Sequence, residues 1–161
     1  MLVLTPTREL ADQIDQNVQA YIKNLPLRHT VLFGGVNMDK QTADLRAGCE
    51  IVVATVGRLL DHVKQKNINL NKVEIVVLDE ADRMLDMGFI DDIRKIMQML
   101  PKQRQTLLFS ATFSPPIRKL AQDFMHTPEM VEVAAQNTTN ANVEQHIICL
   151  LYTSPSPRDR G

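Results

Sequence analysis

Four apolar residues, Ile75-Val76-Val77-Leu78, run directly into Asp79-Glu80-Ala81-Asp82. A buried strand that ends in two adjacent acids has the Walker B arrangement. The strand aims the first carboxylate at a magnesium ion, usually through water. The next carboxylate is placed to orient or deprotonate an attacking water. Acids at a strand end also cap helices or simply face solvent, and for an isolated pair that reading would win. Here the pair closes an apolar run inside a repeating strand-helix pattern, which favours the chemical reading.

Other chemically useful groups stand at comparable places. The run 106–109 is followed by Ser110-Ala111-Thr112. These hydroxyls could bond a carboxylate such as Asp82, or equally form a turn that starts the next helix. Residues 1–4 lead into Thr5-Pro6-Thr7-Arg8-Glu9-Leu10, 30–33 into Gly34-Gly35, and 51–54 into Thr55-Val56-Gly57-Arg58. Each offers hydroxyls, backbone amides near a helix start, or a guanidinium, which are the groups that contact phosphates. Each alone is also an ordinary turn or cap.

The elements that must position these groups are legible in the pattern. Short β-rich runs fall at 2–4, 30–33, 51–54, 75–78, 106–109 and 130–133. Several are continuously apolar, as in a parallel sheet buried on both faces. Leu10, Ile14, Val18 and Ile22 recur at helical spacing, as do Ile90, Ile93, Met97 and Leu100, then Ile117, Leu120, Ala121 and Phe124. Val56, Leu59, Leu60 and Val63 make a shorter stripe. Ser114 before Pro115-Pro116 predicts a helix cap, Pro101 a helix end, and Gly48 the end of a helix over 38–47. Alternating strands and helices predict an α/β fold with ligands at the carboxyl ends of the strands.

Composition narrows the function classes. The chain has 161 residues, enough for one domain. Its net charge of -1 offers no global attraction to nucleic acid or anionic membrane, so such binding must be local. No apolar run is long enough to span a bilayer, and residues 1–4 reach Pro6 too soon for a signal peptide. Cys49 and Cys149 form no framework, which predicts a reducing, cytoplasmic setting. His29, His62, His126 and His146 show no zinc-like spacing. Trp is absent and aromatics are 4%, which argues against a base-stacking platform.

Together the motifs closely resemble those of the DEAD-box RNA helicases. Asp79-Glu80-Ala81-Asp82 matches the family's motif II, and the string continues to fit through Phe89. Pro6-Thr7-Arg8-Glu9-Leu10 matches motif Ia, Gly34-Gly35 the double-glycine motif, Thr55-Val56-Gly57-Arg58 motif Ib, and Ser110-Ala111-Thr112 motif III. All stand in the family's order, and the resemblance covers residues 1–148. Segments 25–28, 33–37 and 100–105 look most like the bacterial RhlE-type branch. Motif Ib departs from the family at Val56, where proline is usual.

The resemblance implies a RecA-like parallel sheet flanked by helices, and ATP hydrolysis coupled to local separation of RNA duplexes. It implies that Asp79 holds magnesium through water, that Glu80 activates the hydrolytic water, and that Asp82 links the nucleotide site to Ser110 and Thr112. Pro6, Thr7, Arg8, Gly34, Gly35, Thr55, Gly57 and Arg58 would contact the RNA backbone without reading sequence. The family's partner for this domain is a second RecA-like domain.

The family's phosphate loop, GxxxxGK followed by Ser or Thr, has no match, and the chain contains no Gly-Lys dipeptide. Residues 1–148 therefore read as an incomplete first domain with its phosphate-loop strand missing, and Met1 as an internal residue or a miscalled start. The lost strand would lie beside 106–109, leaving an apolar edge open, so the isolated chain is expected to be poorly soluble. It is also expected to lack ATPase activity. The segment from Cys149 to Asp159 resembles the translated sequence of a transposase sequencing adapter, so 149–161 is expected to be a non-native, disordered tail. A nucleotide-independent RNA-binding module is the competing reading. A DNA-directed helicase is a third, disfavoured by Ala81 and the string 6–10.

Overall fold

The computed structural model describes residues 1–133, and 145–149 as a backbone strand. Strands and helices alternate through most of the chain: β1 (Leu2–Thr5), α1 (Arg8–Tyr21), β2 (His29–Leu32), α2 (Met38–Ala47), β3 (Ile51–Thr55) and α3 (Val56–Lys64). Then follow β4 (Ile75–Leu78), α4 (Ala81–Asp86), α5 (Ile90–Met99), β5 (Gln105–Ser110), α6 (Pro115–Phe124), β6 (Glu129–Val133) and β7 (Gln145–Cys149).

The sheet order is β2-β3-β1-β4-β5-β7-β6, and the pairings from β2 through β5 are all parallel. The expected parallel sheet flanked by helices is present. One correction applies at its far side. The edge of β5 is covered, because β7 pairs with it antiparallel from Leu107↔Cys149 to Ser110↔His146, and β6 then pairs antiparallel with β7. An unpaired ladder is a ready template, and the backbone of 145–149 satisfies it. Cys149, the first residue of the expected tail, is thus the last residue of β7. Residues 150–161 lie outside the described part.

The two faces of the sheet are covered unequally. The larger core joins Leu2, Leu4, Val76, Leu78 and Leu108 to Leu59 of α3, Met84 of α4, Ile93, Ile96 and Met97 of α5, and Ile117 and Leu120 of α6. On the opposite face, Val3, Val53 and Val77 pack with Phe33 and with Ala11, Ile14 and Val18 of α1. That is why β5 alternates: Thr106, Leu108 and Ser110 face the larger core, whereas Leu107 and Phe109 remain half-buried.

The helix limits follow local chemistry. Thr7 caps α1, its Oγ1 accepting from Leu10 N at 3.3 Å. Gly48 closes α2 at φ 88, a conformation open to glycine at little cost. Leu100 is extended, as a residue before proline must be, and so ends α5. Ser114 stands at the expected cap position of α6 but makes no side-chain cap bond; Pro115 and Pro116 start that helix.

Candidate nucleotide and nucleic-acid edge

Register brings the strand ends together. Thr5 of β1 pairs with Thr55 of β3, and Leu32 of β2 pairs with Ala54 of β3. Leu78 pairs with Leu4 on one side and Leu108 on the other. Asp79 N donates to Leu4 O at 2.9 Å, so the acid pair begins beside the Thr5-Pro6-Thr7 turn. All of the predicted motifs therefore lie along a single sheet edge, in the lateral order Gly34-Gly35, Thr55 to Arg58, Thr5 to Leu10, Asp79 to Asp82, and Ser110 to Thr112.

At the acid end, Glu80 N donates to Asp79 Oδ1 at 2.9 Å. Burial pushes the Asp79 carboxyl above its ordinary range; the hydrogen bond from Glu80 opposes this and the Glu80 charge adds to it. A half-buried carboxylate with one fixed donor suits a cation shared with a polyphosphate. No group of three or more His, Cys, Asp or Glu among the described residues could hold a metal by itself. Asp79 thus fits magnesium as one contributor beside the oxygens of a bound substrate.

Glu80 takes φ 49 and ψ 52, the left-handed region, at a cost of about 1–2 kcal/mol for a residue with a Cβ. Such strain concentrates at working sites. The Glu80 side chain meets Arg83 Nη1 at 3.4 Å. The short helix α4 starts immediately after it and packs against β5 and α6. Asp82 nevertheless makes no hydrogen bond to Ser110 or Thr112. Those two are tied to each other, Thr112 N donating to Ser110 Oγ at 3.4 Å, with Ser110 buried and Thr112 exposed. Ser110 Oγ, as an acceptor there, keeps its own proton, and the Asp82 carboxylate is hydrogen-bonded to neither hydroxyl.

The other end gathers glycines and guanidiniums. The Arg8 guanidinium lies over the Phe33 ring, 4.9 Å from its centroid. Gly35 has φ 80, and a Cβ built there would stand 3.0 Å from Arg8 Nη1. Arg58 Nη1 donates to Val36 O at 3.4 Å, and Arg58 Nη2 would stand 3.8 Å from a Cβ on Gly34. The turn is thus flanked by two arginines. Gly57, in the first turn of α3, has nothing within 4 Å of a Cβ position. Thr55 Oγ1 donates to Leu32 O at 3.4 Å and holds β3 to β2.

Pro6 is buried, and Thr7 is spent on capping. Thr5, one of the hydroxyls the sequence offers, is 0% exposed; its Oγ1 donates to Thr7 O at 3.2 Å and shapes the turn before Arg8, a role that sequence reasoning missed. It also missed Gln41, His62 and Asn67. The one available signal was that His62 falls one helical turn after Arg58, on the same face.

Comparisons with known proteins agree with this geometry. The DEAD/DEAH box helicase family model matches residues 1–120. The chain is 43% identical over 147 residues to the ATP-dependent RNA helicase CshA of Listeria monocytogenes, covering 91% of this chain and 28% of that protein. It is 48% identical over 149 residues to the ATP-dependent RNA helicase RhlB of Xanthomonas axonopodis pv. citri, covering 91% and 26%. The crystal structure of a DEAD box protein from Methanococcus jannaschii superposes with a TM-score of 0.75 at 41% identity, covering 78% of this chain and 34% of that one. The chain therefore spans 26–28% of the length of those two relatives. Sheet order, motif placement and sequence identity point the same way, and the chain belongs to the DEAD/DEAH box helicase family.

Proposed function

We propose that the chain is part of the first RecA-like domain of an ATP-dependent RNA helicase. It acts on magnesium-bound ATP and grips one RNA strand by its sugar-phosphate backbone. The single observation that carries this reading is the placement of the acid pair and the two-arginine glycine turn on one edge of one sheet.

Each residue then has a task. Asp79 would hold magnesium through water, which would supply the charge to neutralise the phosphates. Glu80, turned by its left-handed backbone, orients and deprotonates the hydrolytic water. Asp82, Ser110 and Thr112 relay the state of the nucleotide, Asp82 swinging to the hydroxyls when substrate is in place. Arg8 and Arg58 supply charge to RNA phosphates, and Gly34, Gly35 and Gly57 let the backbone approach them closely. Pro6, Thr7 and Thr55 set the shape of the contacting turns. Contacts of this kind suit a protein of net charge -1, because a few placed groups suffice. The second RecA-like domain completes both sites, and the setting is the cytoplasm. Within the family, the RhlE-type features at 25–28, 33–37 and 100–105 suggest the branch.

A second reading, a nucleotide-independent RNA-backbone module, is favoured by one observation. The Arg8, Gly35 and Arg58 group is complete within this chain, whereas no Gly-Lys dipeptide exists to cradle phosphates. The isolated chain is accordingly expected to show no ATPase activity. The test is strand separation by the full-length gene product on matched RNA and DNA duplexes. RNA separation that requires ATP and magnesium supports the helicase reading. RNA binding indifferent to both supports the module, and equal action on DNA overturns the RNA assignment.

A further inference from the structure

Beneath the Gly34-Gly35 turn runs a chain of polar side chains that none of these tasks uses. Gln41 on α2 is 5% exposed and His62 on α3 is 0% exposed. Gln41 Nε2 donates to Phe33 O at 3.0 Å, the carbonyl immediately before the turn. Its Oε1 lies 2.9 Å from His62 Nε2. With the Gln41 nitrogen facing a carbonyl, its oxygen must face the ring, so His62 carries its proton on Nε2. The bare Nδ1 then accepts from Asn67 Nδ2 at 3.2 Å, and the same amide reaches Thr42 Oγ1 on α2 at 3.2 Å. Asn67 N also donates to His62 O at 2.9 Å.

Apolar side chains would fill this space at lower cost, since a buried polar group destabilises unless its partners are present. A satisfied network instead admits a single arrangement of the elements it joins. Those elements are the carbonyl before the turn, α2 and α3. Arg58 stands one helical turn before His62 on α3 and reaches over the turn to Val36 O at 3.4 Å. The residues on either side of the turn are thus both tied to α3, Phe33 O through Gln41 and His62, and Val36 O through Arg58.

We propose that Gln41 and His62 are positioning residues: their buried hydrogen-bond chain fixes the Gly34-Gly35 turn against the helix that carries Arg58, and so sets where Arg58 meets a backbone phosphate. This role rests on the RNA-backbone reading given above.

The test is a double-mutant cycle on the full-length gene product, with a fluorescein-labelled oligouridine as probe and anisotropy as readout. Gln41→Met keeps the volume and removes both hydrogen bonds; it is expected to weaken binding about fivefold. Arg58→Ala weakens binding further, and adding Gln41→Met to Arg58→Ala changes nothing more, because Gln41 acts through Arg58. His62→Leu repeats the pattern, with thermal melts run beside each variant. Additive losses overturn the positioning role and leave the RNA reading standing. Arg58→Ala without effect overturns the RNA reading and this role with it. If neither Gln41→Met nor His62→Leu melts cooperatively, the network serves folding alone and the proposal is overturned.

Discussion

Arg8 Nη1 stands 3.0 Å from the point where a Cβ on Gly35 would lie, and the same guanidinium rests 4.9 Å above the centre of the Phe33 ring. Gly35 is left-handed as well, at φ 80. Gly35→Ala therefore meets two obstacles, backbone strain and a displaced arginine. It should lower stability by about 1–2 kcal/mol and shift Arg8 off Phe33. Urea denaturation with an RNA titration checks both. A stable variant with unchanged affinity would show that the close approach has no use.

Gly57 makes the opposite case. It is exposed in the first turn of α3 with open space around its Cβ position. Gly57→Ala should stabilise the chain by about 0.5–1 kcal/mol through the unfolded state and helix propensity. The added methyl would stand where RNA approaches, so affinity should fall while the melting temperature rises. A rise in both would place the RNA elsewhere.

Val56 occupies N1 of α3, where the family has proline, and is 1% exposed. Thr55 before it is extended at φ -77, ψ 149, the conformation a residue preceding proline needs. Val56→Pro should leave stability within about 1 kcal/mol of the parent, the rigid ring offsetting the lost valine packing. A loss well beyond about 2 kcal/mol in urea would mean that the valine methyls carry this corner of the core.

Much of this was legible in the sequence, and the gaps have physical causes. The acid pair after Ile75 to Leu78, the glycine turn and the hydroxyl turn after β5 announce themselves by residue type at a strand end. Register then follows from buried apolar runs. The helix α4 escaped because its start depends on the left-handed Glu80, which no propensity favours. The strand β7 escaped because long-range antiparallel pairing leaves no local signal. Gln41, His62 and Asn67 read as scattered polar residues; only the folded chain makes them neighbours. The cap bond expected of Ser114 is absent, and Pro116 at the second helical position has no N–H to offer it.

His62 makes stability depend on pH with a definite sign. Burial, then the nearby Arg58 charge, lowers its pKa below the ordinary 6.5, against a smaller pull from Asp61. As pH falls below 6.5 the unfolded chain takes up a proton that the folded chain refuses. The stability tied to neutral His62 is therefore complete above that pH and is lost as pH drops toward the lowered folded value. His62→Leu should flatten the fall in melting temperature between about pH 7 and about pH 5. Parallel curves for parent and variant would contradict it.

Asp79 and Glu80, at the tip of β4, are read as managing a metal-bound triphosphate. RNA-stimulated ATP hydrolysis by the full-length gene product, parent against Glu80→Gln, tests it most directly. Turnover should fall about 100-fold or more with ATP binding retained, because the isosteric amide cannot take the proton from water. Turnover equal to the parent would contradict it.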